Sequence, residues 1–144
     1  MSTDGPDRDH QVPRGVSPAT VAALGKLSEA FEVIEQARGF LYGFHRMLGM
    51  ADLALGDAVE KLRDAGHGTL ADRIESELVG RNVLQGRWTF QVIEEFDDDY
   101  WSVFREHERA VRDALVGGRR HLYEAEMKER RRTSGHPAHT ARPD

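Results

Sequence analysis

Apolar residues recur along the first half of the chain on two interleaved seven-residue series. One reads Leu27, Ile34, Leu41, Leu48, Leu55, Leu62; the other reads Leu24, Phe31, Arg38, His45, Asp52, Val59. Alternating steps of three and four put both series on one helix face, the seam of a coiled coil. A helix over about 18–65 follows. Ser17 can accept a hydrogen bond from a free amide at its start, and Pro18 needs no amide partner there. No strong stop intervenes before Gly66-His67-Gly68. Thr69 and Asp72 have capping-box spacing. Apolar positions through Ile93, Phe96, Tyr100, Phe104, Val111 and Leu115 then predict a second helix over about 69–116, continuous or kinked near 97–99, where three aspartates stand in a row. Beyond Gly117-Gly118, a short C-terminal helix at about 119–132 has a weak apolar side from Leu122, Tyr123 and Met127. The expected fold is all-α, a long antiparallel two-helix hairpin.

Three consecutive members of the second series, Arg38, His45 and Asp52, are polar where a seam buries side chains, so they need partners. Folding back at Gly66-His67 sets residue i opposite one near 133 − i, because both helices rise about 1.5 Å per residue. Asp52 then meets Arg81, Leu48 meets Gln85, His45 meets Trp88 and Arg38 meets Glu95. Pairs of this kind specify register more than they add stability, since desolvation offsets most of the attraction.

Each helix carries a second apolar stripe: Val33, Ala37, Phe40, Phe44, Met47, Ala51, Ala54 and Ala58 on the first, and Val79, Val83, Phe90, Ile93 and Phe104 on the second. A lone hairpin leaves such stripes wet, which predicts a homodimer closing into a four-helix bundle. Gly39, Gly43, Gly49 and Gly56 suggest close helix approach on the first helix. Residues 1–16 and 133–144 have little apolar content and are expected to be disordered tails around one helical domain, 17–132.

Composition narrows the classes. The chain has no cysteine, which removes disulfides, thiolate metal sites and cysteine nucleophiles. Residues 1–116 hold 13 basic and 21 acidic side chains and the remainder seven and four, an acidic body with a basic tail. An acidic body argues against double-stranded nucleic acid as a partner, where affinity comes from neutralising phosphates. No apolar stretch approaches the roughly 18–20 residues of a membrane span, and the N-terminus lacks a secretory apolar core. The expectation is a cytoplasmic protein that is not an integral membrane protein.

No Glu-x-x-His di-iron signature, zinc-protease motif, phosphate-cradling glycine loop or nucleophile elbow is present. Two constellations remain. The polar seam (Arg38, His45, Asp52, Arg81, Gln85, Trp88, Glu95) is either a set of satisfied register pairs or a place for a small anionic or planar ligand. An acidic cluster around Glu35, Glu95, Asp98 and Asp99 is either a solvated face or a magnesium site, since Mg²⁺ takes a few carboxylates and keeps its own waters. The pairing of Glu32-x-x-Glu35 with Glu95-x-x-Asp98 is similar to that of all-helical nucleoside triphosphate pyrophosphohydrolases. The likeness covers those two patterns alone, separated by more chain than in that family, and implies Mg²⁺-dependent phosphate chemistry. The bland readings outweigh the chemical ones at both places. The chain is therefore expected to be a non-enzymatic helical interaction or assembly protein, homodimeric and without a cofactor, that docks a protein partner of unspecified identity. A ligand-binding or Mg²⁺-dependent bundle is the alternative.

Overall fold

The computed structural model describes residues 4–143 and is all-α. Its helices are α1 (Pro18–Asp64), α2 (Gly68–Glu77), α3 (Thr89–Phe96), α4 (Ser102–Val116) and α5 (Leu122–Arg131), with a π-helical turn at Asp97–Trp101 joining α3 to α4. Two compact units divide the chain: one takes the residues up to Ile34 together with those from Ser102 onward, and the other is Glu35–Trp101. Helix α1 contributes its beginning to the first unit and the rest to the second.

The start of α1 is built as its residues dictate. The Ser17 hydroxyl accepts from the Thr20 amide (3.1 Å), and Pro18 takes the first helical position. Both seam series are buried or half-buried along their whole length, while Val33, Ala37, Phe40, Phe44, Met47, Ala51, Ala54 and Ala58 are all exposed or nearly so. The reversal is also where glycine places it: Gly66 has φ +88°, a backbone that L side chains rarely adopt.

The second helix is not continuous. It stops at Glu77 and resumes at Thr89, so it breaks at 78–88, while the kink expected near 97–99 is present as the π-helical turn. Gly80 (φ +71°) and Gly86 (φ +69°) turn the chain in the left-handed region, and the Arg87 amide closes a tight turn on the Leu84 carbonyl (3.0 Å). At Asp97–Trp101 helical hydrogen bonding persists with a wider turn, so the three aspartates distort the helix without ending it. The capping box expected at Thr69 is not used: α2 begins with no side-chain cap, and Asp72 instead accepts from Arg63 (2.9 Å).

In the first unit, Val21, Leu24, Val116 and Leu122 form the core, with Val12, Val16 and Val111 packed on it. The segment before α1, expected above to be disordered, is drawn in by those two valines and carries a 3-10 turn at Arg8–His10, capped by Asp7. The C-terminal segment is also tied down. Arg132 pairs with Asp4 (2.9 Å) and Glu129 (2.7 Å), and Arg142 donates to the Gly5 carbonyl (2.8 Å). Helix α5 meets α1 at Gly25, where an added Cβ would fall 2.8 Å from Cγ of Tyr123. This is the close approach the sequence placed elsewhere. At Gly39, Gly49 and Gly56 an added Cβ meets nothing within 4 Å, and at Gly43 only the Met47 methyl at 3.9 Å.

Candidate functional site

The second unit contains most of the polar seam. Arg38 projects from α1 and pairs with Asp97 through two parallel bonds, Nε to Oδ1 (2.8 Å) and Nη2 to Oδ2 (3.1 Å). Its guanidinium lies over the Trp101 ring at 4.0 Å and the Tyr42 ring at 5.2 Å, a cation–π arrangement. Trp101 Nε1 donates to Glu35. The hydrogen bond from Arg38 holds the Asp97 carboxyl below the usual carboxylate range, and the same bond raises the Arg38 pKa. The expected partner, Glu95, is bound instead by Arg87 (3.0 Å).

Toward the hairpin end, His45 Nδ1 shares a hydrogen bond with the Thr89 hydroxyl (2.7 Å), one residue beyond the expected Trp88. Asp52 accepts from the Gly80 amide (2.9 Å) and makes no ion pair with Arg81, which donates weakly to the Glu77 carbonyl (3.4 Å). Gln85 is exposed in the 78–88 loop. The antiparallel layering thus holds to within one or two residues at these positions. The pairs slip because a loop and a π turn do not advance by the helical rise per residue.

The acidic cluster does not converge. Glu35 serves Trp101, Glu95 serves Arg87, Asp97 serves Arg38, and Asp98 and Asp99 are exposed. Among the described residues, no group of three or more His, Asp or Glu side chains is placed to hold a metal ion. The Mg²⁺ reading therefore lacks the geometry its chemistry requires.

Where the return chain leaves the helix, the second unit opens a groove of about 780 Å³. Phe44, Leu48 and Leu55 of α1 face Leu78, Val83 and Trp88 across it, with Asp52, Arg81, Asn82 and Thr89 also on its walls. Its size falls within the roughly 300–1,000 Å³ of small-molecule sites, and apolar walls with few polar groups are typical of them. Three seam residues singled out from the sequence, Asp52, Arg81 and Trp88, line it; Arg38, His45, Gln85 and Glu95 do not.

Sequence reasoning missed several participants. Trp101, Thr89 and Asp97 each complete a seam contact, and a one- or two-residue shift of register would have found the last two. In the first unit, Glu108 is buried at 8% exposure and accepts from the Ser28 hydroxyl (3.2 Å) and from Arg112 Nε (3.2 Å). Ser28 and Glu108 belong to neither seam series, so the heptad pattern carried no sign of them. Of the basic run near the C-terminus, Arg132 is spent on Asp4 and Glu129.

No known protein family, curated protein or solved structure matches the chain. No helix among the described residues is long and apolar enough to cross a membrane.

Proposed function

We propose that the chain is a non-enzymatic helical assembly protein that works as a homodimer, pairing through the exposed face of α1 in the second unit. One observation carries this reading. Ala37, Phe40, Phe44, Met47, Ala51, Ala54 and Ala58 repeat at steps of three and four, as the intramolecular seam does, yet Phe40 is 81% and Met47 65% exposed. A second heptad seam without a helix on it calls for another helix. Phe40 and Phe44 at their observed exposures supply roughly 250 Å² per copy. That is about a third of the roughly 800 Å² that a stable interface takes from each partner. Met47, the neighbouring Met50 and the alanines extend the patch.

From Phe40 onward the stripe also has a direction: Phe40, Phe44 and Met47 come first and Ala51, Ala54 and Ala58 last. Two copies crossing antiparallel about a two-fold axis between Met47 and Ala51 set Phe40 against Ala58, Phe44 against Ala54 and Met47 against Ala51. Every layer then holds one large and one small side chain, as close packing between helices requires. Pairing two copies of the second unit in this way closes a four-helix arrangement that a larger protein partner can dock on.

Sedimentation velocity at tens of micromolar tests the reading. The native chain is expected to run as a dimer and Phe40→Glu as a monomer with unchanged helicity. Phe40→Ala and Ala58→Phe should each weaken the dimer, and the double variant should recover it, because the large and small positions exchange places. A native chain that stays monomeric refutes self-association, and a double variant no better than the singles refutes the antiparallel register.

A further inference from the structure

We propose that the groove beside the 78–88 loop binds a small amphipathic anion, an unbranched aliphatic carboxylate whose chain lies along Leu48, Leu55, Leu78, Val83 and Trp88 and whose head pairs with Arg81. This site goes beyond the dimer reading and stands on other observations, although Phe44 and Ala51 of the proposed dimer face also line the groove. The first is an unfilled core. Leu48 and Leu55 belong to the intramolecular seam, where a continuous second helix would have covered them, but the return chain there is a loop and the space between is open. Trp88, on the opposite wall, is 61% exposed. Apolar side chains placed at core positions and left facing a groove gain from any apolar body that displaces water.

Charge supplies the second observation. Of the polar groups on the walls, the Asp52 carboxylate is committed to the Gly80 amide and the Thr89 hydroxyl to His45. Arg81 has no carboxylate partner among the described residues, and its bond to the Glu77 carbonyl is long at 3.4 Å. Asp52 keeps its negative charge while accepting from the Gly80 amide, so Arg81, the one cation on the walls among the described residues, is where an anionic head on an apolar body would pair. The uncharged stripe of a second copy would bring no such head. Length supplies the third. From Phe44 to Leu55 the lining extends roughly 16 Å along the helix axis, which suits a chain better than a compact ring. Gly80, at positive φ next to Arg81, turns the chain where the head would sit.

Calorimetric titration of the intact protein with hexanoate, octanoate, decanoate and decanol tests the site. Decanoate is expected to bind saturably with one molecule per chain, and affinity should rise about two- to four-fold per added methylene, as partial burial of each group implies. Arg81→Gln, a change at an exposed residue, should weaken decanoate by about ten-fold or more while leaving decanol unchanged. Absence of saturable decanoate binding overturns the proposal, as does equal affinity in Arg81→Gln. Repeating the titration on Phe40→Glu, whose substitution lies outside the groove, separates the two readings. Decanoate binding by the monomeric variant supports the groove on its own, and a monomeric variant that binds nothing refutes the groove whatever the native chain's oligomeric state.

Discussion

Replacing Arg38 tests which carboxylate the seam uses, and the structure sets the size of the answer. Arg38 and Asp97 side chains are 27% and 21% exposed, so the pair is neither fully wet nor fully dry. Two unit charges 4 Å apart attract by about 4 kcal/mol at the effective dielectric of such a site, and desolvation returns much of that. Fully exposed pairs yield only about 0.2–1 kcal/mol. Two aligned bonds and partial burial place the coupling between Arg38 and Asp97 at about 1–2 kcal/mol. The face contact with Trp101 adds about 0.5–1 kcal/mol that belongs to Arg38 alone. Arg38→Met should therefore destabilise by about 2–3 kcal/mol and Asp97→Ala by about 1–2 kcal/mol, with the double variant close to Arg38→Met.

Urea unfolding followed by tryptophan fluorescence measures all four corners of that cycle. A parallel cycle between Arg38 and Glu95 supplies the control, because Glu95 is engaged by Arg87 and should couple to Arg38 by less than about 0.5 kcal/mol. A coupling at Glu95 larger than at Asp97 would mean that the uniform helical register governs the molecule, and the slip attributed to the 78–88 loop would be wrong.

Two further outcomes follow from close packing at Gly25 and from the ion-paired carboxylates. Gly25→Ala should destabilise by about 1–3 kcal/mol, since the new Cβ would fall 2.8 Å from the ring carbon nearest the Tyr123 backbone, whereas Gly39→Ala, into open space, should gain up to about 1 kcal/mol from helix propensity. Equal melting temperatures for Gly25→Ala and the native chain would count against that close packing. Acid should loosen the molecule in a defined direction: hydrogen bonds to Asp4 from Ser134, to Glu129 from Arg132 and to Asp97 from Arg38 hold these carboxyls below their ordinary values. A group whose folded pKa is depressed contributes its stability fully above the unfolded value of about 4 and loses it as pH falls through the folded value. The urea midpoint should thus drop between pH 5 and pH 2, roughly the window for such groups. The drop should be shallower in Arg132→Met, and a midpoint that rises on acidification would contradict the assignment.

Periodicity made much of this fold legible before any coordinates. Twelve seam positions on α1 were readable because helical spacing and burial are the same fact seen along and across the helix, and all twelve are covered to some degree. Ser17 and Pro18 were equally legible, because capping depends on two adjacent residues. The break at 78–88 was not read, although Gly80, Asn82 and Gly86 stand within seven residues there. A single glycine is usually tolerated in a helix; three turn-forming residues together are a loop. Asp97-Asp98-Asp99 drew attention instead because acids cap helices, but capping requires free amides, and the wider hydrogen bonding of the π turn leaves none to cap. The contacts of the described terminal segments, 4–16 and 133–143, were hidden for a different cause. Two valines and one arginine suffice to bind a short segment to a core, and composition averaged over sixteen residues conceals them.

The same break accounts for three features that otherwise look unrelated. A continuous second helix would have matched α1 residue for residue, paired Arg38 with Glu95, covered Leu48 and Leu55, and buried Trp88 in a layer with His45. Eleven non-helical residues advance the chain by a different length, so the partners beyond it arrive late by one or two positions, and the π turn absorbs a further residue before α4 resumes. What the break removes from the core it returns as a groove whose rim carries Arg81, a guanidinium with no carboxylate partner among the described residues. A sequence that needed only a stable hairpin would fill 78–88 with strong helix formers, each worth up to about 1 kcal/mol over glycine. Two glycines held at positive φ between helices forgo that stability, and natural chains depart from local consistency chiefly where a site requires it. The loop, rather than the seam it interrupts, carries the proposed anion site, beside the dimer face proposed for α1.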